Sequence, residues 1–572
     1  MPKYKVIFIF NNDLIVHFNK FTFRYILPMN FNDLSIKRSL IAAEILIIVV
    51  LAAVPLFVTF PYRVNIFLSW EGAYRISQGE LPFKDFGTPL GGMYWVIPGL
   101  FFKIFGTQMI TLVKAQVFIN ILSGLAFRSI LKSLSVETGL RIVCVLLFCL
   151  SYSFFNFWPW YNHTVVVYEL IGIAFLLQYI KFPEKRLSFL FIIGAAFFTC
   201  CSFLTKQDAG GMAFVLSLML IGYAGIIKRK WLPILIYVFS FGLILLLFIS
   251  PFLQYKFGYW FNHGQAPHSS RISIKEIIDE FFTGSQWIKF YLFLIMILLF
   301  IKYKSWRNFF NDQKNFIFLL LTIGMLGQAA VFQVTSYTPP DNNIFFHSFG
   351  IAYILFLLKE MYTIEFSKMK VVAVFAAGIL LWWSGVYWKY IQRVTDRLFP
   401  AEIVDYSKAP ENVVNKSTYM IRPVDSLDIP VASWVFSDLK SFHKIYMPAS
   451  TADGMKRLLA MPLVKEGKEL NVLNLTELTP LAVEIPYKTH AGPQFPLWHH
   501  LGVGMFNKQA AMFETSIAKK EYDLVLFEYV PSLNNFFPFR IRDTLMNHYQ
   551  KVDSFIAPRR GDTGGMIEVY IK

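Results

Sequence analysis

The sequence predicts a mainly α-helical protein that crosses a membrane about 11 times and then closes with a small α/β domain. Three observations carry this. The 572 residues are 55% hydrophobic and 18% aromatic but only 16% charged, where a soluble domain carries about 25% charged residues, and the mean hydropathy is +0.48. Apolar runs of about 15 to 25 residues recur along the first two thirds of the chain, long enough to cross hydrocarbon as helices, several of them only with tilt or local thinning of the bilayer. Beyond residue 390 the runs shorten, charge rises, and turn sequences such as KAPEN, DSLDIP and RRGDTGG appear.

Residues 1–38 read as a cytoplasmic N-terminal segment without a clean period, and Met29 offers an alternative start. No cleavable signal peptide is apparent; the run 39–60 is too long for an h-region and reads as a signal anchor. The further spans are expected at 107–131, 139–157, 161–181, 187–204, 210–227, 231–254, 286–302, 312–335, 346–360 and 369–388. The loops between them alternate in charge. One set holds Lys132 and Arg141, Lys181 to Arg186, Lys228 to Lys230, Lys302 to Arg307, and Lys359 to Lys370, and Lys37 and Arg38 precede the first span. The positive-inside rule makes this set cytoplasmic. The loops 61–106, 158–160, 205–209, 255–285 and 336–345, and all that follows 389, are then extracytoplasmic, as befits the inner or plasma membrane of a bacterium. The net charge of +17 is explained by this topogenic clustering, which excludes a nucleic-acid-binding surface. Few charges lie in the spans, with Lys114 and Glu169 read as near span ends.

All four cysteines (Cys144, Cys149, Cys200, Cys201) fall in spans and read as packing residues, leaving no disulfide framework for the exported parts. In the C-terminal part, residues 390–572, YDLVLFEYV and MIEVYIK read as buried strands, and ADGMKRLLAMPLV and PFRIRDTLMNHYQ have helical spacing. The transmembrane part is therefore 39–389.

The first outer loop, 61–106, is the most patterned stretch. From Trp70 it reads WEGAYRISQGELPFKDFGTPLGGMYWVIPGLFFKIFG, with three acids (Glu71, Glu80, Asp85), two cations (Arg75, Lys84), a Pro/Gly-rich turn and an aromatic amphipathic run. A connecting loop is usually shorter and plainer. This stretch resembles the first outer loop of the GT-C superfamily of polytopic glycosyltransferases, the family 39-like enzymes that include protein O-mannosyltransferases and aminoarabinose transferases. The matching residues are Glu71, then Gly79, Pro82, Phe83, Asp85 and Phe86, then Pro89, Leu90, Tyr94, Trp95, Phe105 and Gly106. Relatives usually open the motif with Asp, often Asp-Glu; here Trp70 and Glu71 stand there.

The resemblance implies a GT-C membrane domain and transfer of a sugar from a polyprenyl-phosphate carrier to a lipid, glycan or protein acceptor on the outer face, with no cofactor beyond the lipid-linked donor. The chemistry suits the loop. Such a reaction needs a carboxylate to take the acceptor's proton and cations to hold the phosphate. Glu71 and Asp85 are the catalytic candidates, with Arg75 and Lys84 beside them. The plainer alternatives are an i,i+4 ion pair of Glu71 with Arg75 and a turn role for Asp85.

Three more clusters follow. Lys206, Gln207 and Asp208, in TKQDAGG at an outer span end, suit a lipid phosphate, since the glycines admit close backbone approach and the next helix N-terminus favours an anion; otherwise Lys206 snorkels. His263, His268 and Arg271, among aromatics in 255–271, offer sugar or prenyl contacts, against an interfacial aromatic belt. Asp341 and His347, in SYTPPDNNIFFHS, offer sugar contacts, against a Pro-Pro-Asp turn. No metal-ligand set is read from the sequence, although a divalent ion stays compatible with it. Walker A, G-x-G-x-x-G, H-E-x-x-H and G-x-S-x-G signatures are absent. Two other classes fit the same topology: a transporter or flippase of lipid-linked sugars, which should show charges within spans and broken helices in related halves, and an inactive GT-C relative.

Overall fold

Apolar helices stacked side by side make up most of the chain in a computed structural model. It describes residues 34–62, 66–153, 157–255, 273–336, 344–398, 429, 433–466, 469–485, 487–497, 499, 505–531, 538–558 and 564–572. Helix α1 (Leu34–Phe57) is followed by the two-residue strand β1 (Phe60–Pro61). Two loop helices, α2 (Ile66–Ser77) and α3 (Met93–Phe105), come next. The membrane region continues as α4 (Met109–Ser133), α5 (Thr138–Ser153), α6 (Tyr161–Lys181), α7 (Ser188–Phe203), α8 (Gln207–Lys228), α9 (Leu232–Ile249), α10 (Ile274–Thr283), α11 (Gln286–Lys302), α12 (Gln313–Ser336), α13 (Ile344–Met361), α14 (Met369–Trp382) and α15 (Ser384–Leu398). Each predicted span has a helix at its place. Among the described residues six helices are long and apolar enough to cross a membrane alone, or seven if α10 and α11, bent by 74° at their junction, form one span. Others are shorter: α7 has 16 residues and α14 has 14. At 1.5 Å per residue the latter reaches roughly 21 Å, so such helices need a thinned bilayer or a continuation.

The expected span 369–388 breaks at Trp383. After it the sequence SGVYWKYIQRVTDRL is no longer uniformly apolar but amphipathic, as suits a helix lying at an interface. Glu169 also departs from expectation: it lies well inside α6, is 1% exposed, and accepts a hydrogen bond from Gln328 of α12. A carboxyl among spans must find such a partner, because hydrocarbon offers none.

The basic loops meet at one end of the bundle. Lys181 Nζ donates to Lys132 O at 2.7 Å and Lys228 Nζ to Ile180 O at 3.0 Å. Lys230 pairs with Glu184 at 3.1 Å and Lys359 with Glu137 at 3.2 Å, while Lys302 and Lys314 share Glu360. One side of the membrane therefore collects these loops, as their charge predicts. The four cysteines are buried and free.

The C-terminal part contains β2 (Val435–Phe436), β3 (Ile445–Met447), α16 (Ala449–Ala460), β4 (Val472–Leu475), α17 (Phe506–Ala518), β5 (Leu524–Tyr529), α18 (Phe539–His548), β6 (Gln550–Ile556) and β7 (Met566–Ile571). A four-stranded sheet in the order β4-β5-β7-β6 is parallel between β4 and β5 and antiparallel elsewhere. The two segments read as buried strands are β5 and β7. The second, three-stranded sheet borrows from the first loop: β1 pairs parallel to β3, Phe60 opposite Ile445. The same joint continues in the core, where Tyr62, Ile66, Trp70 and Phe102 pack in one cluster with Phe442, Met447, Leu478 and Leu481. The first loop and the C-terminal domain thus lie on the same side of the membrane.

Candidate functional site

Helix α2 carries IFLSWEGAYRIS, in which aromatic and small residues bury one face while Glu71 and Arg75, one turn apart, face the C-terminal domain. The helix is pinned by two indoles. Trp70 Nε1 donates to Thr107 O at 3.2 Å, and Trp95 Nε1 of α3 to Leu68 O at 2.9 Å. Gly72 makes room for the second: a Cβ there would lie 2.1 Å from the Trp95 ring. The chain leaves α2 through Gly79, at φ +90°, a conformation glycine adopts without strain.

Arg75 is the hub. Its side chain is 2% exposed. Nε donates to Glu71 Oε1 at 3.0 Å, and Nη1 donates to Glu80 Oε2 at 2.7 Å and to the backbone carbonyl of His490 at 2.8 Å. The guanidinium lies 5.4 Å from the Phe86 ring centre and 5.3 Å from that of Phe495. Thr489 Oγ1 donates to the other oxygen of Glu80. Backbone bonds extend the seam: Gly87 N to Phe495 O at 2.7 Å and Leu497 N to Gly87 O at 3.0 Å. The cation thus ties the loop to a segment 415 residues away.

Glu71 combines two opposing influences. Burial raises its pKa above the ordinary carboxyl value, and the neighbouring Arg75 only partly offsets that. The two acids in turn hold Arg75 firmly protonated. Glu71 lines a cavity of about 60 Å³ between α2 and the C-terminal domain, with Trp70, Tyr74, Asn474, Tyr487 and Phe495 among its walls. A carboxyl whose pKa is raised, with one oxygen fixed and a cavity beside it, is suited to accept a proton.

The loop's other flank meets the TKQDAGG turn. Gly91 N donates to Thr205 O at 3.2 Å and Met93 N to Leu204 O at 3.3 Å. A Cβ on Gly91 would stand 1.7 Å from Leu204 O, so this close approach requires glycine. Tyr168 Oη bonds Met93 O at 3.2 Å. Lys206, 7% exposed, pairs with Asp208 at 3.0 Å and lies 4.8 Å from the Phe332 ring centre. Gln207 opens α8 beside it.

The other expected residues are dispersed. Asp85 Oδ2 accepts from Leu81 N at 2.8 Å, a turn contact, and Lys84 is exposed. His347 stacks on Trp287 with ring centres 3.8 Å apart, and its Nδ1 is 2.7 Å from Tyr291 Oη. It lines a different, apolar groove of about 860 Å³ between α11, α13 and α14. Neither cavity includes Lys206. His263, His268, Arg271 and Asp341 lie outside the described residues. Among the described residues no three His, Cys, Asp or Glu side chains are grouped as metal ligands. Sequence reasoning passed over Glu80, Thr489, His490 and Phe495. Glu80 was visible as one of three loop acids, but nothing local marks the return of 489–497 to α2.

No protein-family model matches the sequence, and no curated protein matches it. The structure is similar to the crystal structure of ArnT from Cupriavidus metallidurans in the apo state, with 11% identity and a TM-score of 0.49 over 93% of this chain and 98% of that one. A second crystal structure of that ArnT, bound to undecaprenyl phosphate, gives 10% identity and a TM-score of 0.41 over the same shares. Both TM-scores fall below 0.5, and the functional reading rests on this chain's own residues.

Proposed function

We propose that this chain is a GT-C-type membrane glycosyltransferase that moves a sugar from a polyprenyl-phosphate carrier to a lipid, glycan or protein acceptor on the outer face of the membrane. One observation carries the reading. The loop 66–95 joins a partly exposed carboxylate at a cavity on one flank to a buried lysine at a helix N-terminus on the other, through the Gly91–Thr205 and Met93–Leu204 hydrogen bonds. In this reading Glu71 takes the acceptor hydroxyl's proton as the new bond forms at the sugar's anomeric carbon. The bond from that carbon to the phosphate oxygen breaks, and the anomeric configuration inverts in a single displacement. Arg75 fixes the orientation of Glu71. Lys206, at the N-terminus of α8, balances the phosphate that departs. The reaction needs no nucleic acid and no cofactor beyond the lipid-linked donor, and a divalent ion stays compatible with it.

The test is transfer from a radiolabelled polyprenyl-phosphate sugar by the purified chain. Glu71→Gln keeps the size and removes the base, and transfer should fall by about 100-fold or more. Near-normal transfer would exclude Glu71 and leave Asp85 as the better candidate. Lys206→Met should weaken donor binding by roughly 10- to 150-fold, the worth of one charge-assisted contact, and Lys206→Arg should retain part of it. Equal donor affinity in all three proteins would remove the phosphate site.

A further inference from the structure

Polar atoms without partners converge on the cavity behind Glu71. Three of its lining residues come from the C-terminal domain and carry buried polar atoms that bond nothing among the described residues: Thr479 Oγ1, His490 Nε2 and His499 Nδ1. Thr479 is 6% exposed and His499 5%. Buried polar atoms are normally satisfied, and leaving one bare is costly, so a clustered set marks a place where a ligand or waters complete the bonding. The character of the wanted partner can be read from each group. His499 Nε2 lies 3.0 Å from Phe506 O and donates to it, and burial pushes the ring's pKa down to about 4. The ring is therefore neutral, and Nδ1 presents a lone pair to a donor. Thr479 can both give and accept, and Glu71 accepts. Neither His499 Nδ1 nor Thr479 Oγ1 asks for a charged partner. Rings supply the rest of the wall: Trp70 stacks on Tyr74 at 4.8 Å, and Phe495 stacks on His490 at 5.6 Å. Neutral acceptors between aromatic faces suit several hydroxyls on one apolar frame. The space, about 60 Å³, holds several waters or the hydroxyl-bearing edge of one sugar ring.

We infer that this cavity is the subsite for a sugar ring of the acceptor, with Thr479 and His499 of the C-terminal domain recognising hydroxyls that flank the one presented to Glu71. This rests on the glycosyltransferase reading and narrows its acceptor to a carbohydrate. It also gives the C-terminal domain a part in specificity. Thr479 and His499 bind and position here; they do not touch the reacting atoms.

The experiment needs no donor. Methyl α-glucopyranoside, methyl α-mannopyranoside and methyl β-galactopyranoside are titrated against the full-length chain in detergent, and binding is read by calorimetry. At least one should bind saturably. The Thr479→Val/His499→Phe double variant should bind it about tenfold more weakly, the loss expected for buried hydrogen bonds. Because His499→Phe also removes the bond to Phe506 O and lowers stability, Thr479→Val alone, which removes no internal bond, should weaken binding with its unliganded melting temperature unchanged. Thr479→Ser, which keeps the hydroxyl, should bind as the wild type does and guards against a mere folding defect. Binding of none of the three glycosides, or equal binding by the double variant, overturns the subsite and leaves the bare atoms to water. Glycoside binding by a chain that transfers no sugar from a glycosyl lipid overturns the catalytic reading instead, and transfer without glycoside binding does the reverse.

Discussion

Arg75→Met removes the hub between the first loop and the C-terminal domain while keeping a long apolar stem for Phe86 and Phe495. Three charge-assisted hydrogen bonds vanish, to Glu71, Glu80 and the His490 carbonyl. The two carboxylates, whose side chains are only 16% and 17% exposed, stay behind without their cation. Breaking a buried pair from one side costs about 3–5 kcal/mol, chiefly because the remaining charge is uncompensated. The sheet and core contacts around Phe60 and Trp70 are untouched, so the loss should appear as local opening of the seam rather than global unfolding. Hydrogen exchange of peptides covering 80–90 and 487–497 should accelerate by more than about 100-fold, with little change in the membrane helices. Arg75→Lys keeps the charge but cannot serve three acceptors from a planar fork, so it should fall between. Adding Glu71→Gln and Glu80→Gln to Arg75→Met removes the stranded charges and should recover part of the protection. Wild-type exchange in Arg75→Met would refute the hub.

Gly91→Ala places a methyl against the Leu204 carbonyl, where the gap is 1.7 Å; the 204–206 turn must shift, and donor affinity should drop as it does in Lys206→Met, which parallel titrations will decide. Because burial raises the pKa of Glu71 above the ordinary 4.5, a base at that position is lost to protonation at a higher pH than a free carboxylate, so kcat/KM should fall on the acid side with an apparent pKa above 4.5; a limb at or below that value argues against Glu71. All four native cysteines are buried, so single added cysteines report topology cleanly: Lys508→Cys should react with a membrane-impermeant thiol reagent in intact cells, and Lys185→Cys only after permeabilisation. The opposite pattern would move the whole site to the cytoplasmic side.

What the sequence disclosed and what it hid divide along a physical line. Spans were legible because hydrocarbon imposes one rule on every residue that crosses it, and the gathering of the basic loops at one end because Lys and Arg distribute by the same rule throughout the chain. The strands β5 and β7 were legible as short continuous apolar runs. The break at Trp383 was hidden because 369–388 keeps enough Trp, Tyr and Val to pass as a span, although polarity turns one-sided from Ser384 on. The site was half legible. Glu71 and Arg75 are four apart, so a helix alone brings them together. Thr489, His490 and Phe495 reach them only through the fold of the C-terminal domain, and a contact across 415 residues leaves no period to read.

That distance also bears on the two readings of Glu71 that the local spacing left open, ion pair or base. They are not exclusive. Arg75 takes one oxygen, and its hold is strong because Phe86, Phe495 and the His490 carbonyl fix the guanidinium from outside the helix. A lone exposed Glu–Arg pair would hold its carboxylate ionised and loosely oriented, at a worth of a few tenths of a kcal/mol. Enclosed by a second domain, the same pair orients the carboxylate, while the burial that comes with enclosure raises its proton affinity. The C-terminal domain therefore changes what an ordinary i,i+4 pair can do, and that change is the part no window of the sequence contains.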